Sequence, residues 1–513
     1  MANDLLHLLP LLVVVTTGLV VLTADLFVPP RFSRRFMGWM TGTGFLLAGV
    51  ASYGIWRQGV VPLETSYIAS MFAIGPFGSF WTMLILVCGL LSVLVSLDHL
   101  REQSLESGEY YALLSFSMAG MITVVTAIDF FTLFIGIELM SLAVYVLVGK
   151  KRSSHLGAES ALKYFIMGAI GSAVLLYGIS LIYGAAGTTY LPGIARALTA
   201  RPPGPDNLLP YASLLLVLVG FGFKIAAVPF HMWTPDVYQG APTPVTGFMA
   251  AAVKVTSFAG FVRVLFVAYD AEGFRSLPLP WEDAIAILAA VTMTVGNLVA
   301  LHQDNVKRML AYSSVAHAGY VLIAFLAYEH FEPSGQAAFA VPSGSLFFYL
   351  LVYAVTNVGA FGVLALLGAR GNEDLSVTKL AGLGRRRPLL AAALTVLLFS
   401  LAGIPPTAGF LGKWFVFRDA LRVGDGQYLW LVILAVLNSV VSVYYYLRPT
   451  VLMYFHEPDD RPAPLYRSVA AWVAIAVTAL MVLHAGIMPD RYVRASLQAA
   501  KNTVPNYVES TTH

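Results

Sequence analysis

Fourteen apolar runs, each near the 17–25 residues that a helix needs to cross a bilayer, fall at 5–28, 36–56, 78–97, 109–128, 130–149, 161–185, 211–231, 243–269, 284–302, 307–328, 345–369, 388–417, 428–449 and 467–488. In hydrocarbon every backbone N–H and C=O must find a partner within the protein, so a chain patterned in this way folds as a helix bundle. The expected class is an all-α polytopic membrane protein, residues 1–513 forming one membrane domain, because no link between runs is large enough for a soluble one. Composition agrees: 58% of residues are hydrophobic and only 12% charged, against about 25% charged in soluble proteins, and the mean hydropathy is +0.75. The run at 388–417 is too long for one straight span. The N-terminus, MANDLLHLLPLLVVV, carries an acid where a signal peptide would carry positive charge, so the first run is read as a retained span.

Several function classes drop out. The net charge of +3 is small and dispersed, which gives no footprint for nucleic acid. The single cysteine, Cys88, can neither hold an iron–sulfur cluster nor close an internal disulfide, and reads as a small buried hydrophobe. The His and carboxylate spacings match no metal motif, and neither a Gly-rich nucleotide loop nor a nucleophile elbow is present. What remains is the transfer of small ions.

Cytoplasmic loops of membrane proteins hold the excess of Lys and Arg. With the link after the first run placed inside, that side collects eighteen, including Arg31, Arg34, Arg35, Arg370, Arg385, Arg461 and Arg467, and the other side nine, including Arg57, Arg275, Arg418 and Arg422. Both termini are thereby expected outside the cytoplasm. A weak internal repeat is also visible. Asp129 and Asp304 are 175 residues apart, Tyr145-Val146-Leu147-Val148 and Tyr320-Val321-Leu322-Ile323 share that offset, and Pro229 and Pro405 are 176 apart. The period spans five runs, 109–278 and then 284–453, flanked by three N-terminal runs at 5–97 and a last one at 467–488. An odd number of spans inverts the second copy, and such plans interrupt corresponding helices beside the transport path. Runs 7 and 12, with Pro229 and the segment Gly403–Gly409, are the expected broken helices.

Charges then mark the interior. Lys224, Lys254 and Lys413 lie within apolar runs, and Glu138 is the only acid in the fifth. An unpaired charge at the centre of a span costs about 2.5–3.5 kcal/mol on insertion scales, so these groups need partners or water. Lys224 is the natural partner of Glu138, either as a packing contact or as a pair whose strength varies during transport. Three lysines for one acid imply a wet path, to which lysine is suited because its charge state responds to its surroundings. His317, near Ser313, Ser314 and Tyr320, and His231, after Pro229, could relay protons between lysines or simply pack. Lys163 near the start of the sixth run fits a snorkelling lysine. Arg263 is expected at an interface, Glu109, Asp98 and His99 at solvated loop edges, and YYYLRP at 444–449 in an interfacial aromatic belt.

The run PFHMWTPDVY at 229–238, continued by APTPV at 241–245, resembles the signature of the antiporter-like membrane subunits of respiratory complex I and of the related multisubunit cation/proton antiporters. Within that family FYLLVYAVTNVGAF at 348–361 and AGFLGK at 408–413 look like the subunit N branch of bacterial NADH:quinone oxidoreductase. Lysine rather than glutamate at 413 argues against subunit M, and the roughly 25 residues after the last run are too few for the lateral helix of subunit L. The resemblance implies fourteen helices, two inverted five-helix repeats and a hydrated axis. It places the proton-transfer roles on Glu138 and Lys224 as a pair, Lys254 as central carrier and Lys413 as exit carrier, with Lys163, His317 and His231 matching further polar positions. It also implies a bacterial cytoplasmic membrane location. NADH, FMN, iron–sulfur clusters and quinone are expected in partner subunits, with no cofactor in this chain; the partners would be further antiporter-like and small membrane subunits. Alternatives are a subunit of a multisubunit cation/proton antiporter or a membrane-bound hydrogenase, and a non-pumping membrane scaffold.

Overall fold

The structure, a computed structural model, describes all residues except 1, 30–31, 62, 64–65, 205–206, 271–273, 275–280, 332–338, 369–374, 423–425, 458–467 and 505–513. Arg31, Arg275, Arg370, Arg461 and Arg467, counted for orientation, and the ends of the proposed units at 278 and 467 lie outside the described residues.

The principal helices in chain order are α1 (Leu9–Phe27), α2 (Arg35–Gln58), α3 (Pro76–Glu102), α4 (Gly108–Thr126), α5 (Phe130–Val148), α6 (His155–Ala186), α7 (Leu209–Ile225) and α8 (Trp233–Gly240). They continue with α9 (Thr243–Ala268), α10 (Trp281–Ala300), α11 (Val306–Phe325), α12 (Gly344–Leu367), α13 (Pro388–Ala402), α14 (Ala408–Arg422), α15 (Leu429–Phe455), α16 (Val469–Ile487) and α17 (Asp490–Lys501). Among the described residues nine helices are long and apolar enough to cross a membrane, and the chain is a polytopic membrane protein. Ser, Asp and Asn side chains fix several helix starts: Asp129 accepts from the backbone N–H groups of Phe131 and Thr132, and Asn305 from that of Arg308. The cap of α11 is thus Asn305, one residue beyond Asp304, whose carboxylate instead pairs with Arg448 at 2.7 Å.

The centre is formed by α9, buried along all of its span, and α12, 94% buried, whereas α1 is only 22% buried. These inner helices are mostly apolar on every face because every face meets protein, Lys254 and Arg263 being the charged residues of α9, and α12 packs against α3, α9, α13, α14, α16 and α17. The outer faces of α5, α6 and α15 carry Phe131, Leu142, Phe165, Leu437 and Val440, exposed as lipid-facing residues would be.

Several boundaries differ from expectation. The run at 388–417 is two helices, α13 and α14, with the chain turning at Gly403 (φ +85°); Arg418 and Arg422 therefore belong to the end of a helix and not to a loop. Likewise α7 ends at Ala226 (φ +58°) and α8 starts at Trp233. Helix α3 runs on to Glu102, which puts Asp98 and His99 inside it. His99 is fully buried with Nδ1 at 3.3 Å from the Ala365 carbonyl, and Asp98 faces Arg35 at 3.4 Å, so neither is a solvated loop residue. Glu109 does face solvent and pairs with Lys150. Cys88 is buried, as expected. The all-α expectation is modified by a short antiparallel pair, β1 (Tyr328–Phe331) with β2 (Phe339–Pro342), which satisfies backbone groups in the link between α11 and α12.

Candidate functional site

The first cluster forms where α7 stops. Lys224 lies in the last turn of α7, near the negative end of its dipole. Its Nζ is 3.7 Å from Glu138 Oε1 on α5 and donates to Ser141 Oγ at 3.1 Å. Ser172 on α6 donates its hydroxyl to Glu138. The two charged side chains are 5% and 27% exposed, so this is a contact ion pair with one side open, held by hydroxyls rather than by direct N–H···O bonds.

The second cluster is built on α9. A π-helical turn at Met249–Val253 immediately precedes Lys254, the kind of local widening often found at functional positions. Lys254 Nζ donates to the Ser314 backbone carbonyl and, at 2.6 Å, to Ser314 Oγ, which also accepts from the Tyr353 hydroxyl at 2.7 Å. One turn along α11, His317 places Nδ1 2.7 Å from the Tyr349 hydroxyl and Nε2 3.1 Å from the Tyr446 hydroxyl. Tyr446 is bonded in turn to Ser313. A cavity of about 10 Å³ opens beside His317, Tyr349, Tyr353, Thr356 and Ser400, at the lower limit of the room one water needs.

The third cluster sits at the other broken helix. Because α13 ends in the left-handed turn at Gly403, the Ala402 carbonyl is released from helical pairing. It accepts from Lys413 Nζ at 2.9 Å, and Ser439 Oγ accepts at 2.8 Å. The ammonium lies 4.8 Å from the Tyr320 ring centroid, within cation–π range. A Cβ at Gly403 would come within 3.0 Å of Lys413 Cδ and 3.4 Å of Nζ. Among the described residues neither Lys254 nor Lys413 forms an ion pair; both are held by neutral oxygens.

Glu138 and Lys224 are therefore brought together, and Lys254, His317 and Lys413 share a second hydroxyl-rich region. Lys163 is not part of either. Its side chain is 44% exposed and pairs with Glu159 at 2.6 Å and Asp236 at 2.8 Å, while Asp236 also holds Arg308 at 2.6 Å. His231 packs 6.4 Å from Tyr312, and its buried Nδ1 meets no hydrogen-bond partner. Arg263 is 1% exposed, lies 4.1 Å over the Phe77 ring and donates to the Ala127 carbonyl at 3.1 Å. Of the supposed interfacial belt only Tyr444 is exposed; Tyr445 and Tyr446 point inward because α15 continues to Phe455 and their positions face the core. Sequence reasoning thus missed Tyr446, Tyr349, Tyr353, Ser141, Ser172 and Ser439. The spacing of Tyr349 and Tyr353, four residues apart on one helix face, was the available signal. Among the described residues no cluster of His, Cys, Asp or Glu could hold a metal.

Residues 127–442 match the family described as NADH:quinone oxidoreductase/Mrp antiporter, TM. The NADH-quinone oxidoreductase subunit N of Trichlorobacter lovleyi is 42% identical over 494 residues, 96% of each chain. A chain of respiratory complex I from Thermus thermophilus superposes with a TM-score of 0.76 at 32% identity, covering 95% of this chain and 99% of that one. A chain of the Mrp complex from Dietzia sp. has the same fold, with a TM-score of 0.81 at 22% identity over 98% of both. This chain belongs to the subunit N group of the NADH:quinone oxidoreductase/Mrp antiporter membrane family.

Proposed function

We propose that this chain carries protons as an antiporter-like subunit in the membrane arm of an NADH:quinone oxidoreductase, driven by quinone reduction elsewhere in the complex. The observation that carries the reading is the pair of buried lysines, Lys254 and Lys413, held by hydroxyl and carbonyl oxygens on either side of an imidazole bonded to two phenols. Each side chain there can donate or accept a hydrogen bond, and the lysine and imidazole groups can carry the proton. Glu138 and Lys224 act as the variable pair: a change in their separation alters how firmly Lys224 holds its proton. Lys254 is the central carrier, His317 with Tyr446 and Tyr349 the relay, and Lys413 the carrier at the second broken helix. The hydrogen bonds of the described residues do not join the Lys224 cluster to that of Lys254, so water completes that step. Lys163 acts from outside the axis by fixing α8 through Asp236, and His231 has at most a local role.

The same reading includes fourteen spans, inverted repeats at 109–278 and 284–453, segments 5–97 and 467–488 flanking them, and both termini on the outer side of a bacterial cytoplasmic membrane. The repeats are supported by left-handed turns at Ala226 and Gly403 ending α7 and α13, and by isolated bridges Asp129 to Tyr190 and Asn305 to Ser376 at the starts of α5 and α11. NADH, FMN, iron–sulfur clusters and quinone would reside in partner subunits, among them further antiporter-like and small membrane subunits. Moving one charge against 100 mV takes about 2.3 kcal/mol, within the range of one buried ion pair's contribution. The test is proton uptake by the assembled complex in liposomes: Lys254→Ala is expected to reduce it strongly, and uptake at the parent rate with the complex intact would overturn the proposal.

A further inference from the structure

We propose that Asn297 is a positioning residue for Lys413, acting through Tyr320; the inference rests on the reading of Lys413 as a proton carrier. Asn297 is fully buried on α10. The two N–H groups of its Nδ2 are shared among the Met293 carbonyl at 2.8 Å, the Tyr320 hydroxyl at 3.0 Å and Asn438 Oδ1 at 3.3 Å, while its Oδ1 accepts from the Tyr445 hydroxyl at 2.9 Å. Asn438 in turn donates to Thr294 Oγ1 at 3.2 Å. The cluster therefore ties α10 to α11 and α15, and both of those helices supply what surrounds Lys413: Tyr320 its aromatic face, and Ser439, next to Asn438, its hydroxyl acceptor.

A buried amide between spans is costly unless it is fully bonded, and apolar packing alone would favour leucine there. What the amide adds is direction. It holds the Tyr320 hydroxyl as an acceptor and so fixes the plane of the ring that faces the ammonium. Lys413 forms no ion pair among the described residues, so the ring, Ser439 and the Ala402 carbonyl determine how its charge is held. Release of the ring would loosen one of those three.

The experiment uses the assembled complex in liposomes, with NADH oxidation and proton uptake followed together across pH. Asn297→Leu and Tyr320→Phe are each expected to lower proton uptake about tenfold, the order of a desolvated cation–π contact, and to displace its pH profile in the same direction. The double variant should fall no further than the weaker single one, because both remove one interaction. Losses that multiply, or an unshifted pH profile, would overturn the proposal. Should Asn297→Leu not assemble, Tyr445→Phe removes the donor to Asn297 Oδ1; it is expected to give a smaller loss with the same shift, and parent behaviour would overturn the proposal. Lys413→Ala in parallel separates the two levels. Normal uptake by that variant defeats the carrier role itself, whereas loss of uptake there with parent-like Asn297→Leu defeats only the positioning role.

Discussion

Replacing Glu138 by glutamine keeps the size and the hydrogen bond from Ser172 but removes the charge that faces Lys224. At 3.7 Å and an effective dielectric constant of about 20, the Coulomb attraction is about 4.5 kcal/mol. Glu138 is 27% exposed, and solvent screening reduces the usable part to about 2 kcal/mol. That corresponds to about a 30-fold change in the proton equilibrium of the pair. Glu138→Gln should therefore slow proton uptake by the reconstituted complex by a factor of this order, while assembly, checked by the amount of this chain copurifying with its partners, stays near normal. Glu138→Asp withdraws the carboxylate by about one methylene and keeps about two thirds of the attraction, so uptake should fall only about threefold. If Glu138→Gln pumps within twofold of the parent in an intact complex, the ion pair does not control transfer.

Gly403→Ala would meet both a backbone in the left-handed region and the Lys413 side chain; a cost of about 1–2 kcal/mol from the backbone alone should appear as a lower yield of assembled complex and weaker pumping. Ser314→Ala removes the hydroxyl shared by Lys254 and Tyr353 and is expected to cut proton uptake about tenfold, on the scale of a lost hydrogen bond to a charged group; an unchanged rate would exclude Ser314 from the path. Tyr446→Phe unhooks His317 Nε2 and Ser313 together, and its proton uptake should fall more than that of Tyr444→Phe, whose ring faces outward. His231→Ala, which removes a ring without a bond at Nδ1, should leave uptake within about twofold, the effect of a packing change.

The bundle itself was legible in the residues, because apolar length and the need to satisfy backbone groups in hydrocarbon leave little freedom. The broken helices were legible as well, since Pro229 and the Gly403–Gly409 segment forbid continuous pairing, and so were Glu138, Lys224, Lys254 and Lys413, since charge in an apolar run is expensive enough to announce itself. Neutral polar residues send no such signal. Serines 141, 172 and 439 and Tyr446 are inexpensive in a span, and nothing local distinguishes one facing lipid from one facing a lysine; the four-residue spacing of Tyr349 and Tyr353 marked only a shared helix face.

Errors arose where function depends on rotation about a helix axis. Tyr445 and Tyr446 face inward on α15, which runs on to Phe455, and His99 is buried on the extended α3. The amino-acid order alone determined that the chain folds as a polytopic membrane bundle and which charges must be sheltered within it. Only the packing of helices distant in the chain decided what shelters each charge, because a hydrogen bond depends on ångström-scale placement of groups brought together by the whole bundle.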